Sequence, residues 1–328
     1  MQSFTLFITF FCFAFANAVD YFDQLQNELN QSPTGQVRRF YITAEETIWD
    51  YTAESSQMDE EYEDLTYTRK KERYHWQGNM GPILRAEVGD IIQVFFWNRA
   101  SRNYTIHPHG IFYEFEMEGA VFKGAYEGSS VTPNHNYTYT WNVLPRAGPG
   151  PKDGNSIVWG YHSHVTENDI YAGLYGAIVI YKPGTLNTED LVSSVFIMDE
   201  NLSPYLAKTM AKLYPDFNDA KYDKKTIYNA RTFPSINGLS MASPKDLVLK
   251  GGKELVWHLL GWGTYWDVQY LKWQNAEVIL DEQKVDYVRL MPASFYTVTV
   301  ISQDVGVYKF GYLENSDRKC MAMNYRIV

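Results

Sequence analysis

Cysteine is nearly missing from this 328-residue chain, which has only Cys12 and Cys320. Cys12 falls in an apolar leader, so a mature chain keeps one thiol and no intrachain disulfide is possible. Its stability must come from packed cores. Basic residues are also in deficit, with 29 Lys and Arg against 39 Asp and Glu and a formal net charge of −10. That balance argues against nucleic acid and against an anionic membrane surface as partners. After the leader, no apolar run reaches the length of a bilayer span. The acidic stretch 54–64 lacks the Gly-punctuated spacing of a calcium loop and reads as a solvated surface. Histidine is rare as well, with seven in all.

Aromatic residues are abundant at 16%, with 26 Tyr, which favours strands over helices. The length suits about two domains with proper cores. Residues 1–18, MQSFTLFITFFCFAFANA, end in Ala16-Asn17-Ala18 and read as a signal peptide, predicting a secreted, extracellular protein. Sequons stand at Asn30, Asn103, Asn136 and Asn201. Pro204 makes the last one the poorest acceptor, and Asn103 and Asn136 are expected on exposed loops.

Alternating apolar and polar residues predict strands at Gln36–Tyr51, on both sides of a Gly89-Asp90 turn, and at Tyr137–Val143. Tyr175–Tyr181 is an apolar strand. Lys182–Asp190 reads as a boundary that separates a domain at 19–183 from one at 190–328. The second part opens with a strand at Leu191–Met198. A short helix is expected at Ser203–Leu213, with Ser203 as N-cap and Pro204 at its first position. Seven further strands follow, so both parts read as β-sandwiches or barrels.

Four of the seven histidines form two H-x-H pairs, His107-Pro108-His109 and His162-Ser163-His164. Chance placement would give roughly 0.15 such pairs, counted as matches to a template. Residues i and i+2 of a strand share a face, so each pair can meet one ligand. Neutral imidazole suits copper, zinc, iron and nickel, which makes all four candidate metal ligands. Pro108 removes a ladder donor and implies a sheet edge or bulge. His75 and His135 read as surface loop residues, and His258 as a core or sheet histidine.

The stretches IIQVFFWNRASRNYTIHPHG, PRAGPGPKDGN and WGYHSHVTENDIYAGLYGAIVIYKPG resemble the first domain of the ceruloplasmin–hephaestin branch of multicopper oxidases. Coagulation factors V and VIII share this kind of domain. IMDENLSPYL and SINGLSM resemble the start of the family's second domain. The resemblance implies an all-β chain of two tandem cupredoxin-like Greek-key β-sandwich domains. It implies copper as cofactor, with His107, His109, His162 and His164 as half of a trinuclear site. Ser163 stands where a blue-copper domain has its Cys ligand, and Leu174 stands about where the axial ligand falls. In the second domain, Gln269, Lys272 and Gln274, then Gly311, Tyr312, Leu313 and Asp317, replace the expected ligands. Ser156 and Tyr181 stand where the resemblance places a cysteine pair.

The functional expectation is therefore a secreted copper-binding protein with oxidase activity only if another chain completes the site. The other reading is a metal-free interaction module. The histidine face is expected to bind a second cupredoxin domain or chain, in a homodimer or with a hetero-partner.

Overall fold

The computed structural model describes residues 27, 33–49, 51, 62–68, 79–122, 126–213, 215–216, 223–240, 247–264, 267–302, 304–312 and 321–328. The leader 1–18, Asn30, most of the acidic stretch, His75, Leu313, Asp317 and Cys320 lie outside the described residues. No helix among the described residues is long and apolar enough to cross a membrane.

Strands β1 (Val37–Trp49), β2 (Tyr62–Thr68), β3 (Leu84–Glu87), β4 (Ile91–Asn98), β5 (His107–Pro108), β6 (Asn136–Asn142), β7 (Ser156–His162) and β8 (Tyr175–Tyr181) build one sandwich. Its sheets run β2-β1-β4-β6 and β3-β8-β7-β5. The second sandwich holds β9 (Asp190–Asp199), β10 (Thr232–Ile236), β11 (Val248–Leu249), β12 (Glu254–Gly261), β13 (Gln269–Trp273), β14 (Glu277–Leu280), β15 (Gln283–Val285), β16 (Val288–Leu290), β17 (Phe295–Ile301), β18 (Gly306–Tyr312) and β19 (Met321–Ile327). Its sheets run β10-β9-β12-β17-β14-β15 and β11-β19-β18-β13-β16. The chain is all-β in the expected tandem cupredoxin-like manner.

Residue pattern sets each strand's place. In β4, Ile92, Val94 and Phe96 are fully buried and alternate with outward residues, so one face meets a core and the other meets solvent. In β8 all seven residues are buried. Ile178 and Ile180 join the first sandwich's own core, while Tyr175, Ala177, Val179 and Tyr181 face a third core. That third core includes Val192, Phe196, Met198, Leu260 and Trp262 of the second sandwich. An uninterrupted apolar strand is what burial on both faces requires.

The Gly89-Asp90 turn joins two strands that do not pair with each other. β3 pairs with β8 in one sheet and β4 pairs with β1 in the other, so the turn is a corner between sheets. Gly89 has φ +95 there. The expected Ser203–Leu213 helix starts three residues later, at Leu206. Ser203 Oγ accepts the Tyr205 N–H at 3.3 Å, capping a turn ahead of the helix. Tyr205 is only 3% exposed and packs in the first sandwich's core, with its OH 3.0 Å from that of Tyr104. That anchor holds the first turn away from helical continuation.

Ser156 and Tyr181 are directly opposed in the β7–β8 register. A buried polar cluster occupies this place between the sandwiches. Arg85 makes a two-pronged ion pair with Asp190, 2.8 Å at each prong, and Tyr181 OH bonds the same carboxylate. His258 is fully buried, as expected of a core histidine, with Nδ1 2.8 Å from Thr297 Oγ1 and Nε2 3.6 Å from Asp190. Burial lowers the His258 pKa, against the pull of Asp190, and favours the neutral ring. Burial would raise the Asp190 pKa, but the bonds from His258 and Arg85 outweigh it and hold the carboxyl well below its usual range.

Candidate metal centre

β5 lies at the edge of its sheet, where Pro108 costs no inner ladder bond. His107 is directly opposed to His162 across the β5–β7 pair. The chain leaves β5 with His109 N–H bonded to Gly160 O at 2.8 Å, which keeps His109 beside the same strand. The four rings form one cluster. Centroids lie 5.2 Å apart for His107–His109, 5.6 Å for His107–His162, 4.9 Å for His107–His164 and 5.3 Å for His162–His164.

The nitrogens of His107, His109 and His162 converge, all within 4.8 Å of one another. His109 Nε2 and His162 Nε2 are 3.0 Å apart. That is about the spacing of two nitrogens each ~2.0 Å from a single ion. His164 is exposed and stands outside this triad, so the expected set of four resolves into three converging imidazoles and one at the mouth. Among the described residues, no other group of three His, Cys, Asp or Glu side chains converges this way.

The surroundings fix which nitrogen is free. His107 Nδ1 donates to Glu118 O at 2.7 Å and His162 Nδ1 donates to Ser163 O at 2.8 Å. Each ring then presents Nε2, the orientation that bonds at the outer nitrogen give to metal-binding imidazoles. Gly119 makes the first bond possible: at φ +70, a Cβ there would sit 2.2 Å from Ile106 O. Ser163 supplies structure where a thiolate would supply chemistry. Its Oγ donates to Asp169 at 2.6 Å and accepts the Thr105 N–H at 3.1 Å. Thr105 Oγ1 in turn accepts the His164 N–H at 2.9 Å. Leu174 is fully buried, and its carbonyl accepts the Ser163 N–H.

Burial pushes His107 and His109 down to about 4, and charges on neighbouring imidazoles push the same way. Burial holds His162 well below its ordinary value too, with the other three histidines adding to the effect. The triad is thus neutral, which is the form that binds metal. An all-nitrogen, neutral, converging set fits copper.

Two residues of this site have no signal in the local sequence. Trp262 and Phe295 reach over from the second sandwich. Trp262 lies 5.4 Å from His162 and 6.2 Å from His109, and Phe295 lies 5.4 Å from His109, centroid to centroid. They fit because residue 160 is glycine; a Cβ there would come within 2.5 Å of Trp262 and 2.7 Å of Phe295. The histidine face, expected to bind a second domain or chain, is largely closed on the side of His107 and His162 by this chain's own second sandwich. His107 and His162 are only 9% and 8% exposed.

In the second sandwich, the two stretches that replace ligands do come together. Lys272 of β13 is directly opposed to Gly311 of β18. Gln269 is buried, and its side-chain nitrogen has no hydrogen-bond partner among the described residues. His135 is exposed on its loop, as expected.

A multicopper oxidase family model matches residues 61–185. Ferroxidase HEPHL1 of Homo sapiens is 34% identical over 262 residues, covering 75% of this chain and 22% of that protein. Hephaestin of Rattus norvegicus is 32% identical over 275 residues, 79% of this chain and 24% of its own length. Coagulation factor V of Sus scrofa is 30% identical over 311 residues, 84% of this chain and 14% of its own. The chain thus spans about a quarter or less of these relatives. Among solved structures, the multicopper oxidase mgLAC aligns with a TM-score of 0.63 at 15% identity, covering 89% of this chain and 86% of that one. That last likeness speaks to fold alone.

Proposed function

This chain belongs to the multicopper oxidase family, on the ferroxidase and hephaestin side of it, and from that premise we propose that it is a secreted copper-binding protein. Copper would be held by His107, His109 and His162, with His164 at the mouth. The observation that carries this reading is the convergence of three neutral imidazoles within 4.8 Å. Copper bound there would accept and release single electrons. The protein's part is to orient Nε2 of His107 and His162 through their Nδ1 bonds, and to exclude water from one side with Trp262 and Phe295. Four histidines are half of what the family resemblance calls for in a trinuclear site. The second sandwich offers Lys272, Gly311 and Tyr312 in place of ligands and of a blue-copper thiolate. Oxidase activity then depends on a second cupredoxin domain or chain that brings further imidazoles against the exposed His164.

Copper per chain, measured on purified mature protein and on His107→Ala/His162→Ala, tests this. The expected result is bound copper in the first, loss of it in the second, and no intense blue band in either. Equal copper in both proteins would sink the half-site and leave an interaction module of the kind the similarity to coagulation factor V suggests.

A further inference from the structure

We propose that Asn136 carries an N-linked glycan whose first sugars lie along an aromatic strip on the outer face of the first sandwich, formed by Trp97, Phe95 and Tyr41. The inference rests on the reading of the chain as secreted, and extends to a surface remote in kind from the histidines. β1 and β4 pair in parallel with Tyr41 opposed to Phe95, and these two rings stack at 4.7 Å with 11° between planes. Trp97 follows Phe95 by two residues and shares its face. Tyr41 is 63% exposed and Trp97 47% exposed, so the strip is apolar surface left uncovered by the described residues.

The register puts the acceptor beside the strip. Asn136 of β6 is directly opposed to Trp97, and Thr138 is directly opposed to Phe95. Directly opposed side chains point to the same face, so Asn136 and the hydroxyl residue of its sequon both stand on the aromatic side. Neighbouring strands lie about 4.8 Å apart, so sugars leaving Asn136 pass over Trp97 and Phe95 before they reach Tyr41. The apolar faces of pyranose rings match such a surface, and Arg99 lies over Trp97 at 5.1 Å at one end of the strip. β6 is also the last strand of its sheet, where a bulky, hydrated group hinders edge-to-edge pairing.

The other described sequons are differently placed. Asn103 is half-buried and donates to Ser130 Oγ at 2.9 Å, and its partner Thr105 is fully buried. Asn201 donates to Asp199 at 2.8 Å. In the transfer, Asn136 Nδ2 bonds to C1 of N-acetylglucosamine. The bond from C1 to a polyprenyl pyrophosphate donor breaks, the pyrophosphate leaves with its lipid, and the amide nitrogen loses one proton. Nothing is oxidised or reduced.

The test is secretion of the full chain from a eukaryotic host, glycopeptide mapping, and hydroxyl-radical footprinting of Trp97 and Tyr41. Footprinting compares the glycosylated protein, the same protein trimmed to a single N-acetylglucosamine, and Asn136→Gln. Expected are an occupied Asn136, a several-fold rise in modification of Trp97 in Asn136→Gln, partial protection in the trimmed form, and no change at buried Trp257. A chain that never leaves the cell would count against the secretion reading. Secreted protein with Asn136 unoccupied would overturn the proposal. So would an occupied Asn136 whose removal leaves Trp97 equally reactive. Protection of Trp97 in Asn136→Gln that grows with concentration would assign the strip to a second copy instead, and would also overturn it.

Discussion

The two sandwiches repeat one strand plan. In the first, β1 and β4 pair in parallel, β3 and β8 pair in parallel, and β5 lies antiparallel to β7. In the second, β9 and β12 pair in parallel, β11 and β19 pair in parallel, and β13 lies antiparallel to β18. His107 opposes His162 in one, and Lys272 opposes Gly311 in the other. A cation faces a residue with no side chain where the first sandwich has two imidazole rings. The frame is therefore indifferent to the chemistry it displays. A few strand positions decide whether one copy gathers a cluster of imidazoles, and the other copy serves as its wall.

The sharpest way to break this comparison is at the junction. Asp190→Ala leaves Arg85, Tyr181 and His258 without their common acceptor. Breaking a buried ion pair costs up to 3–5 kcal/mol. Arg85 keeps 34% of its side chain exposed, so a loss of about 3 kcal/mol is expected from chemical denaturation. Copper per chain should stay as in the wild type, because none of these groups touches the triad. Loss of copper on this substitution would mean that the second sandwich sets the site more strictly than its wall contacts imply.

Gly160→Ala tests the wall itself. The new Cβ collides with Trp262 and Phe295 and should cost roughly 1–3 kcal/mol, as overpacking does. The measurement is thermal unfolding beside Trp262→Ala, and the pair Gly160→Ala/Trp262→Ala should recover part of the loss. Additive losses would show that the sandwiches do not meet there.

A further effect is expected in pH dependence without metal. His107 and His109 titrate at about 4 when folded, and near the ordinary 6.5 when unfolded. Between those values the unfolded chain takes up protons that the folded site refuses. The contribution is whole above pH 6.5 and is lost progressively as pH falls to 4. Unfolding of wild type and of His107→Ala/His109→Ala across this range should diverge most at high pH and converge toward the acid end. Parallel curves would show the imidazoles to be solvated.

Much of this was legible in the sequence. Alternation found β1 and β6 within two residues of their ends and placed β4 after the Gly89-Asp90 turn, and the H-x-H spacing found the four clustered rings. Pro108 implied an edge or a bulge, and the first of these is what β5 is. What stayed hidden depends on contacts between distant segments. Trp262 sits in LVWHLLGWG with nothing nearby to mark it as a neighbour of His162. Tyr205 looks like an ordinary helix residue until Tyr104 is seen to hold it. The separation of His164 from the other three is a matter of ring direction, which strand period alone does not fix.

The third core also has a consequence in time. Trp49 Nε1 bonds Gly238 O at 2.7 Å across 189 residues, and Tyr51 packs edge-on against Phe233. Synthesis at about 5–20 residues per second delivers the first sandwich well before these partners exist. Until then Trp49, Tyr51 and the outer side of β8 lack Val192, Phe196, Met198, Leu260 and Trp262, the part of the third core that the second sandwich supplies. Nascent chains halted just before Asp190 should bind a hydrophobic dye that full-length chains exclude. The first-made half thus spends its earliest seconds unfinished, and the half made last acts as its chaperone within the same polypeptide.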